Sequence, residues 1–325
     1  MKLSEKVLVL LEKQKGEFCS GQEIAEQLSV TRASIWKTIK TLQEEGYPIV
    51  AVTNKGYSLV KSPDILSAVG IRQTLLEENQ FLQIETKKKV DSTNNELKHR
   101  VALGEHQDMV LVAEEQEAGR GRRGRSFFSP KGSGIYMSFL LHPQIDYTQA
   151  ELLTTAAAVA VAEAIETVSK EKVAIKWVND LWLRGKKISG ILTEASTSLE
   201  SGQLEYAIIG IGINVQSPVE GFPEELQPIA ESIFQGAVEK ENLRNQLVGE
   251  IINHFMHYYR MLPKKEFLEE YRNRSFVLGK EIMVLHANGQ RRAKALEIDD
   301  HCHLKVQYED GTIESLSSGE ISIRV

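Results

Sequence analysis

Gly119-Arg120-Gly121-Arg122-Arg123-Gly124-Arg125 is the stretch around which the chain organises itself. It follows an apolar run, Met109–Ala113, that reads as a strand, and a polar run, Glu114-Glu115-Gln116-Glu117. Three glycines let backbone N–H groups close on an anion. Four arginines can neutralise phosphates or a mixed anhydride. No Gly-Lys-Ser/Thr closes the stretch, so it is not a Walker loop. Arginines crowd the positions that a dinucleotide fingerprint leaves open for a pyrophosphate, and no helix plainly follows. Taken alone, the stretch reads equally as an anion-binding loop and as a flexible basic surface loop.

Outward from it, apolar strands recur at Ile135–Leu141, Val173–Val178, Ile188–Glu194 and Leu204–Val215. Between them an alanine-rich helix is expected from Thr148 to Ser169. Another, from about 239 to 260, carries Leu243, Leu247, Ile251 and Phe255 at helical spacing. The pattern is that of an α+β domain. Lys176-Trp177-Val178-Asn179-Asp180 and Gly185-Lys186-Lys187-Ile188-Ser189-Gly190 set polar groups among apolar strand residues. Asp180 there can hold a ribose, an adenine or a metal. The Lys187 ammonium, partly desolvated, can reach a carboxylate or an α-phosphate. The plain alternative is a hairpin with a solvated basic tip. Gly210-Ile211-Gly212-Ile213-Asn214-Val215 permits close backbone approach. Asp91-Ser92-Thr93-Asn94 can offer hydroxyls and N–H groups to a ligand, or simply cap a helix.

Residues 1 to 62 read as a winged helix-turn-helix. Leu3, Val7, Leu8, Leu10 and Leu11 mark a first helix. Ser20-Gly21-Gln22-Glu23 is a capping box for a second. Thr31 caps a third, with Ile35, Ile39 and Leu42 at helical spacing and Gly46 as its stop. Two short apolar runs follow, Ile49–Val52 and Tyr57–Val60, joined by the turn Thr53-Asn54-Lys55-Gly56. From Ser29 to Gln43 the chain carries Arg32, Lys37 and Lys40 and no acid. Cations suit phosphate contact, and Thr31, Arg32 and Ser34 near the helix start suit base reading. Lys55 in the wing suits phosphate or the minor groove. The alternative is an ordinary solvated basic face. Lys61-Ser62-Pro63-Asp64 is the expected linker, with Asp64 capping the next helix.

Residues 273–325 are short runs punctuated by turns at Asn288-Gly289, Asp299-Asp300, Asp310-Gly311 and Ser318-Gly319, which suggests a small β-barrel. His301-Cys302-His303 resembles a metal cluster, but in a strand the cysteine faces away from both histidines. No partner pair stands at zinc spacing, so no metal site is expected. The two cysteines are far apart, which fits a reducing cytoplasm. No apolar run is expected to span a bilayer, and the N-terminal run, broken by Glu12 and Lys13, reads as a helix rather than a signal peptide. Net charge over the 325 residues is −6, so any nucleic-acid contact must come from a local basic surface.

Together these features resemble the bifunctional biotin–protein ligase and biotin operon repressor (BirA-type) family over essentially the whole chain. The Gly-Arg loop paired with Lys-Trp-x-Asn-Asp is the specific part. The resemblance implies a multidomain α+β protein: a winged helix-turn-helix (1–62), a central α+β ligase domain with a mixed sheet (63–272) and a small C-terminal SH3-like β-barrel (273–325). It implies biotin and ATP with Mg2+ as substrates, biotinyl-5′-AMP as intermediate, and transfer to a lysine of a biotin carrier protein. Implied biotin contacts are Ser92, Thr93, Asn94, Gln116, Arg120, Arg122, Lys187 and Gly190, with Lys187 and Arg122 catalytic. Implied nucleotide contacts are Arg122, Phe127, Asn179, Asp180 and Asn214, with Asp180 on magnesium. Phe127 stands where the family commonly has an adenine-stacking Trp, and Val178 where it usually has Pro. Operator DNA, a carboxylase's biotin carrier domain and a homodimer of the adenylate-bound form are the implied partners. Rival readings are a lipoate–protein ligase, a metabolite-sensing transcription factor without catalysis, and a ligase whose DNA-binding unit is inactive.

Overall fold

The computed structural model describes residues 3–44, 47–60, 64–198, 202–236, 241–286, 289–317 and 319–323. Contacts divide the chain into two compact units, Met1–Thr74 with Val238–Gln246, and Leu75–Ala237 with Leu247–Val325.

In the first unit, α1 (Leu3–Lys13) buries Val7, Leu8 and Leu11. Ser20 and Glu23 form the expected capping box at the head of α2 (Gly21–Gln27): the Ser20 hydroxyl accepts the Glu23 N–H at 3.1 Å, and the Glu23 carboxylate accepts the Ser20 N–H at 2.9 Å. The Thr31 hydroxyl accepts the Ser34 N–H at 3.2 Å and caps α3 (Arg32–Glu44), which turns Ile35, Ile39 and Leu42 inward. β1 (Ile49–Val52) pairs antiparallel with β2 (Gly56–Leu59), and Cys19 bridges to Tyr57. Asn54 and Gly56 take φ of 65° and 100°, the conformation that the connecting turn demands. Val7, Leu11, Ile24, Ile39 and Leu59 share one core, and the unit is a winged helix-turn-helix. Gly46 and the linker residues Lys61, Ser62 and Pro63 lie outside the described residues.

Asp64 does not cap the next helix. Its carboxylate takes the Arg244 backbone N–H at 2.9 Å and the Arg244 Nε at 2.8 Å. A guanidinium buried to 2% exposure needs a counter-charge more than a short helix needs a cap. Ser67 caps that helix, α4 (Ala68–Arg72), instead.

The second unit is built on a seven-stranded mixed sheet. Its elements in chain order are β3 (Gln83–Lys87), α5 (Thr93–Ala102), β4 (Met109–Ala113), β5 (Gly134–Leu141), α6 (Ala150–Ser169), β6 (Ala174–Lys176), β7 (Asp180–Leu183), β8 (Lys186–Thr197) and β9 (Leu204–Asn214). α7 (Leu243–Arg260) and α8 (Leu268–Arg274) follow. Strand order is β3-β4-β5-β9-β8-β7-β6, with β3 and β4 parallel and the other pairs antiparallel. β4 and β5 are buried at every residue, which is why they read as unbroken apolar runs. Leu97 of α5 packs on Leu111, Leu140 and Ile208. Phe139, on the opposite face of β5, meets Phe255 of α7 at 4.7 Å between ring centroids. Helices therefore cover both faces.

By length and composition α6 could cross a bilayer, contrary to the sequence expectation. It packs instead against β8 and β9, with twelve of its residues buried. The expected strand Val173–Val178 stops at Lys176, and the chain turns through Trp177, Val178 and Asn179 into β7. The Trp177–Val178 peptide is cis.

The C-terminal residues form a five-stranded antiparallel sheet: β10 (Glu281–His286), β11 (Gly289–Ile298), β12 (Leu304–Tyr308), β13 (Ile313–Leu316) and β14 (Glu320–Ile323), in the order β13-β12-β11-β10-β14. The all-β character is as expected. Among the described residues β13 and β14 are the two edges of this sheet, and no pairing joins them. His301-Cys302-His303 lies in the turn before β12, not in a strand. Asp299 imposes that turn by accepting the His301 and His303 N–H groups at 2.9 Å each. The Cys302 thiol is buried against the Thr155 hydroxyl, and burial pushes it up to about 11. Among the described residues no group of three His, Cys, Asp or Glu could hold a metal ion.

Candidate active site

The floor of the site is one row across five strands: Ala113, Tyr136, Gly212, Gly190 and Asp180 are cross-strand partners in turn. The next row on the same face contains Leu111, Ser138, Gly210 and Leu192. Small residues in both rows let side chains lie flat on the sheet. A Cβ on Gly212 would stand 2.6 Å from the Phe127 ring, and one on Gly210 would stand 2.2 Å from Asn94 Oδ1. Both glycines are thus required by close approach.

α5 brings the polar cluster to this floor. Ser92 occupies its N-cap position but makes no side-chain cap bond, and Ser92, Thr93 and Asn94 are all buried. The Thr93 N–H and hydroxyl donate to Gln116 Oε1 at 2.9 and 3.2 Å, and Gln116 Nε2 donates to Ser129 Oγ at 3.0 Å. Ser138 Oγ lies 2.7 Å from Thr93 Oγ1 and 2.6 Å from Asn94 Oδ1. Asn94 Nδ2 donates to Glu194 at 2.8 Å. The network fixes a set of short polar groups before any ligand arrives.

The Gly-Arg loop closes over the other side. The Gly121 N–H donates to the Arg125 carbonyl at 2.7 Å, and the Phe127 N–H to the Gly119 carbonyl at 2.8 Å. Arg122, Arg123 and Gly124 form a single 3₁₀ turn, with Arg123 at φ 54°. Arg120 leans toward α5, donating to Asn95 Oδ1 at 3.0 Å with Glu194 at 3.5 Å. Arg122 reaches across the site and donates to Asn179 Oδ1 at 3.0 Å. Asn179 is itself fixed by donating to the Ile191 carbonyl at 2.8 Å. Phe127 meets Tyr136 edge-on at 6.4 Å. Lys187 Nζ stands 2.7 Å from Asp180 Oδ1. That oxygen is buried, and the Lys187 ammonium is the counter-charge beside it.

These elements share one cavity of about 750 Å³, large enough for two mid-sized ligands end to end. Every residue read from the sequence as a biotin or nucleotide contact lines it: Ser92, Thr93, Asn94, Gln116, Arg120, Arg122, Phe127, Asn179, Asp180, Lys187, Gly190 and Asn214. Several lining residues were not anticipated. Phe222, Leu226, Ile229 and Ala230 belong to a strap laid along Lys187, whose N–H donates to the Ile229 carbonyl at 2.9 Å. Asn214 Nδ2 holds the same strap through the Glu231 carbonyl at 3.1 Å. Trp182, Phe276 and Lys280 close one end with Ile321 and Ser322. The Trp182 and Phe276 rings lie 5.6 Å apart, with Lys176 over the first at 5.6 Å and Lys280 over the second at 5.3 Å. No local signal marks these residues, because they converge only through the tertiary fold.

Outside the cavity, Glu151 at the start of α6 faces His303 Nε2 at 3.4 Å. Burial pushes its carboxyl up to about 7, against the pull of the Arg122 guanidinium and with a push from Asp299.

A mixed sheet carrying such a loop, with a helix-turn-helix unit on the same chain, defines a protein ligase joined to a DNA-binding module. Residues 87–214 match the biotin/lipoate A/B protein ligase family, residues 4–58 an HTH domain, and residues 277–324 the biotin protein ligase C-terminal domain. The bifunctional ligase/repressor BirA of Bacillus subtilis is 36% identical over 330 residues, covering 99% of this chain and 98% of that protein. Its namesake in Escherichia coli is 29% identical over 318 residues, covering 95% and 94%. The structure of biotin protein ligase from Aquifex aeolicus in complex with biotin and ATP superposes with a TM-score of 0.62 at 30% identity, over 75% of this chain and 99% of that one. The chain belongs to the bifunctional ligase/repressor BirA family.

Proposed function

We propose that this chain is an ATP-dependent biotin–protein ligase that also represses biotin synthesis and uptake genes as a DNA-binding protein. The observation that carries the catalytic part is the meeting of the Gly-Arg loop and Lys187 on one cavity. A carboxylate oxygen of biotin attacks the α-phosphorus of ATP; the bond to pyrophosphate breaks and biotinyl-5′-AMP forms. The ε-amine of a carrier lysine then attacks the acyl carbon, expelling AMP and losing a proton. The enzyme needs no nucleophile of its own. Its task is to bring two anions together in line and offset their charge.

Ser92, Thr93, Asn94, Gln116, Arg120 and Gly190 hold biotin. Lys187 leaves Asp180 to bridge the biotin carboxylate and the α-phosphate. Phe127 stacks on adenine, Asn179, Asp180 and Asn214 hold the nucleotide, and Arg122 covers the anhydride against water. Asp180, once Lys187 has left it, would hold the magnesium that accompanies the triphosphate, since a carboxylate suits that cation. Bound there, it neutralises phosphate charge. Thr31, Arg32, Ser34, Lys37, Lys40 and Lys55 face operator DNA. The functional division is 1–62, 63–272 and 273–325, the last an SH3-like barrel. The adenylate-bound protein is a cytoplasmic homodimer, and its partners are operator DNA and the biotin carrier domain of a carboxylase.

The test is incubation of the full chain with a biotin carrier domain, ATP, magnesium and either biotin or lipoate. Labelling with biotin alone is expected. No labelling, or preference for lipoate, contradicts the reading.

A further inference from the structure

The recognition helix carries a residue that the DNA-binding assignment leaves out. Trp36, in the first two turns of α3, is 55% exposed, about a quarter turn around the helix from the buried stripe of Ile35, Ile39 and Leu42. Arg32 lies four residues before it and Lys40 four after, so the three share one stripe. No acid interrupts α3 before Glu44. Lys40 Nζ sits 5.5 Å from the Trp36 ring centroid. An indole left in water gives up one of the largest apolar surfaces a side chain offers, and this one is set among cations suited to phosphate.

The hydroxyls expected to read bases are already engaged. Thr31 Oγ1 accepts the Ser34 N–H at 3.2 Å, and the two hydroxyl oxygens lie 2.8 Å apart. The Thr31 hydroxyl caps the helix and the Ser34 hydroxyl is bonded to it. The exposed stripe therefore offers its apolar bulk at Trp36, where a recognition helix meets base edges. In the major groove the apolar group on offer is the 5-methyl of thymine.

We propose that Trp36 is a base-contacting residue of the operator-binding helix, its indole packed on a thymine methyl group while Lys40, steadied over the ring, meets the adjacent phosphate. This rests on the repressor reading above. Duplexes are first selected by the full chain, with biotin and ATP, from a random-sequence pool. Binding to a selected duplex is then measured with each thymine replaced in turn by uracil, which deletes the methyl and no hydrogen bond. The expected result is one thymine per half-site whose replacement weakens wild-type binding about fourfold, the effect of exposing one methyl group. Trp36→Ala loses about tenfold in affinity on the unmodified duplex and becomes indifferent to that replacement. Trp36→Phe keeps part of the discrimination. The inference is overturned if no uracil replacement affects the wild-type protein, or if Trp36→Ala stays as sensitive to it. A pool from which nothing is enriched overturns the DNA-binding reading itself, and this inference with it.

Discussion

Arg122 links two parts of the site: it springs from the loop and is anchored on Asn179 at the head of the hairpin that carries Lys187. Arg122→Gly deletes the anchor on Asn179 and, on the proposed role, the cover over the anhydride. It is expected to shorten retention of biotinyl-AMP by about a hundredfold, the scale of losing one charged contact to a reacting group. Retention of labelled adenylate through gel filtration measures this, and an unchanged half-life counts against the role. Glu151 gives a pH prediction. Its carboxyl is held up to about 7 in the folded chain, so the stability it contributes is full below the ordinary carboxylate range and is lost as pH rises through 7. Glu151→Gln removes that loss. Its unfolding free energy, read from denaturant melts, should gain on the wild type between pH 5 and pH 8 by on the order of 1 kcal/mol for a side chain that keeps 31% of its surface. A difference independent of pH refutes it. At this scale much was legible in the sequence. Lys187 and Asp180 declare themselves because charge interrupts an apolar strand, whereas Phe127 was marked only by the family resemblance. Asp64 misled, since its partner Arg244 is 180 residues away and no local pattern announces it.

The elements show why the site is open where it is. β8 and β9 set Gly190, Gly210 and Gly212 on one face, with Asn94 of α5 lying against Gly210 and the Phe127 ring against Gly212. Gly212→Ala puts a methyl 2.6 Å from the Phe127 ring. That ring must shift, so the Michaelis constant for ATP should rise by about tenfold while that for biotin moves less, the cost of misplacing one stacking face. Steady-state kinetics with each substrate varied separately checks this, and equal effects on both would argue against adenine stacking on Phe127. The strands β4, β5 and β9 were readable because burial on both faces makes them continuously apolar. β3 and β7 were not. β3 is an edge strand with Glu85 and Lys87 at its outer positions, and β7 is four residues long with Asp180 and Trp182 turned to the site. The strap from Phe222 to Ala230 contains no regular element and is held by partners distant in sequence, Lys186 on the Gln227 carbonyl, Lys187 on the Ile229 carbonyl and the Phe128 ring beside Phe222, so its place is invisible without the fold.

At the scale of the whole molecule, catalysis and repression share one chain. If the adenylate is the corepressor, operator affinity must rise when biotin and ATP are both present, and, on the proposal that a dimer binds the operator, dimerisation must strengthen under the same conditions. Sedimentation and fluorescence anisotropy, with and without the two ligands, check this. Binding curves indifferent to both would separate the two functions. The domain plan was legible because each part has its own periodicity, helical in the first 44 residues and strand-and-turn at the end. What was not legible is that Phe276, Lys280, Ile321 and Ser322, from the C-terminal part, line the catalytic cavity. The most direct measurement of the central claim is pyrophosphate release by the full chain with ATP and magnesium, with biotin present or absent, for the wild type and Lys187→Ala. The account predicts release that requires biotin and falls by at least about a hundredfold in the variant. Biotin-independent release, or undiminished activity without Lys187, would contradict it.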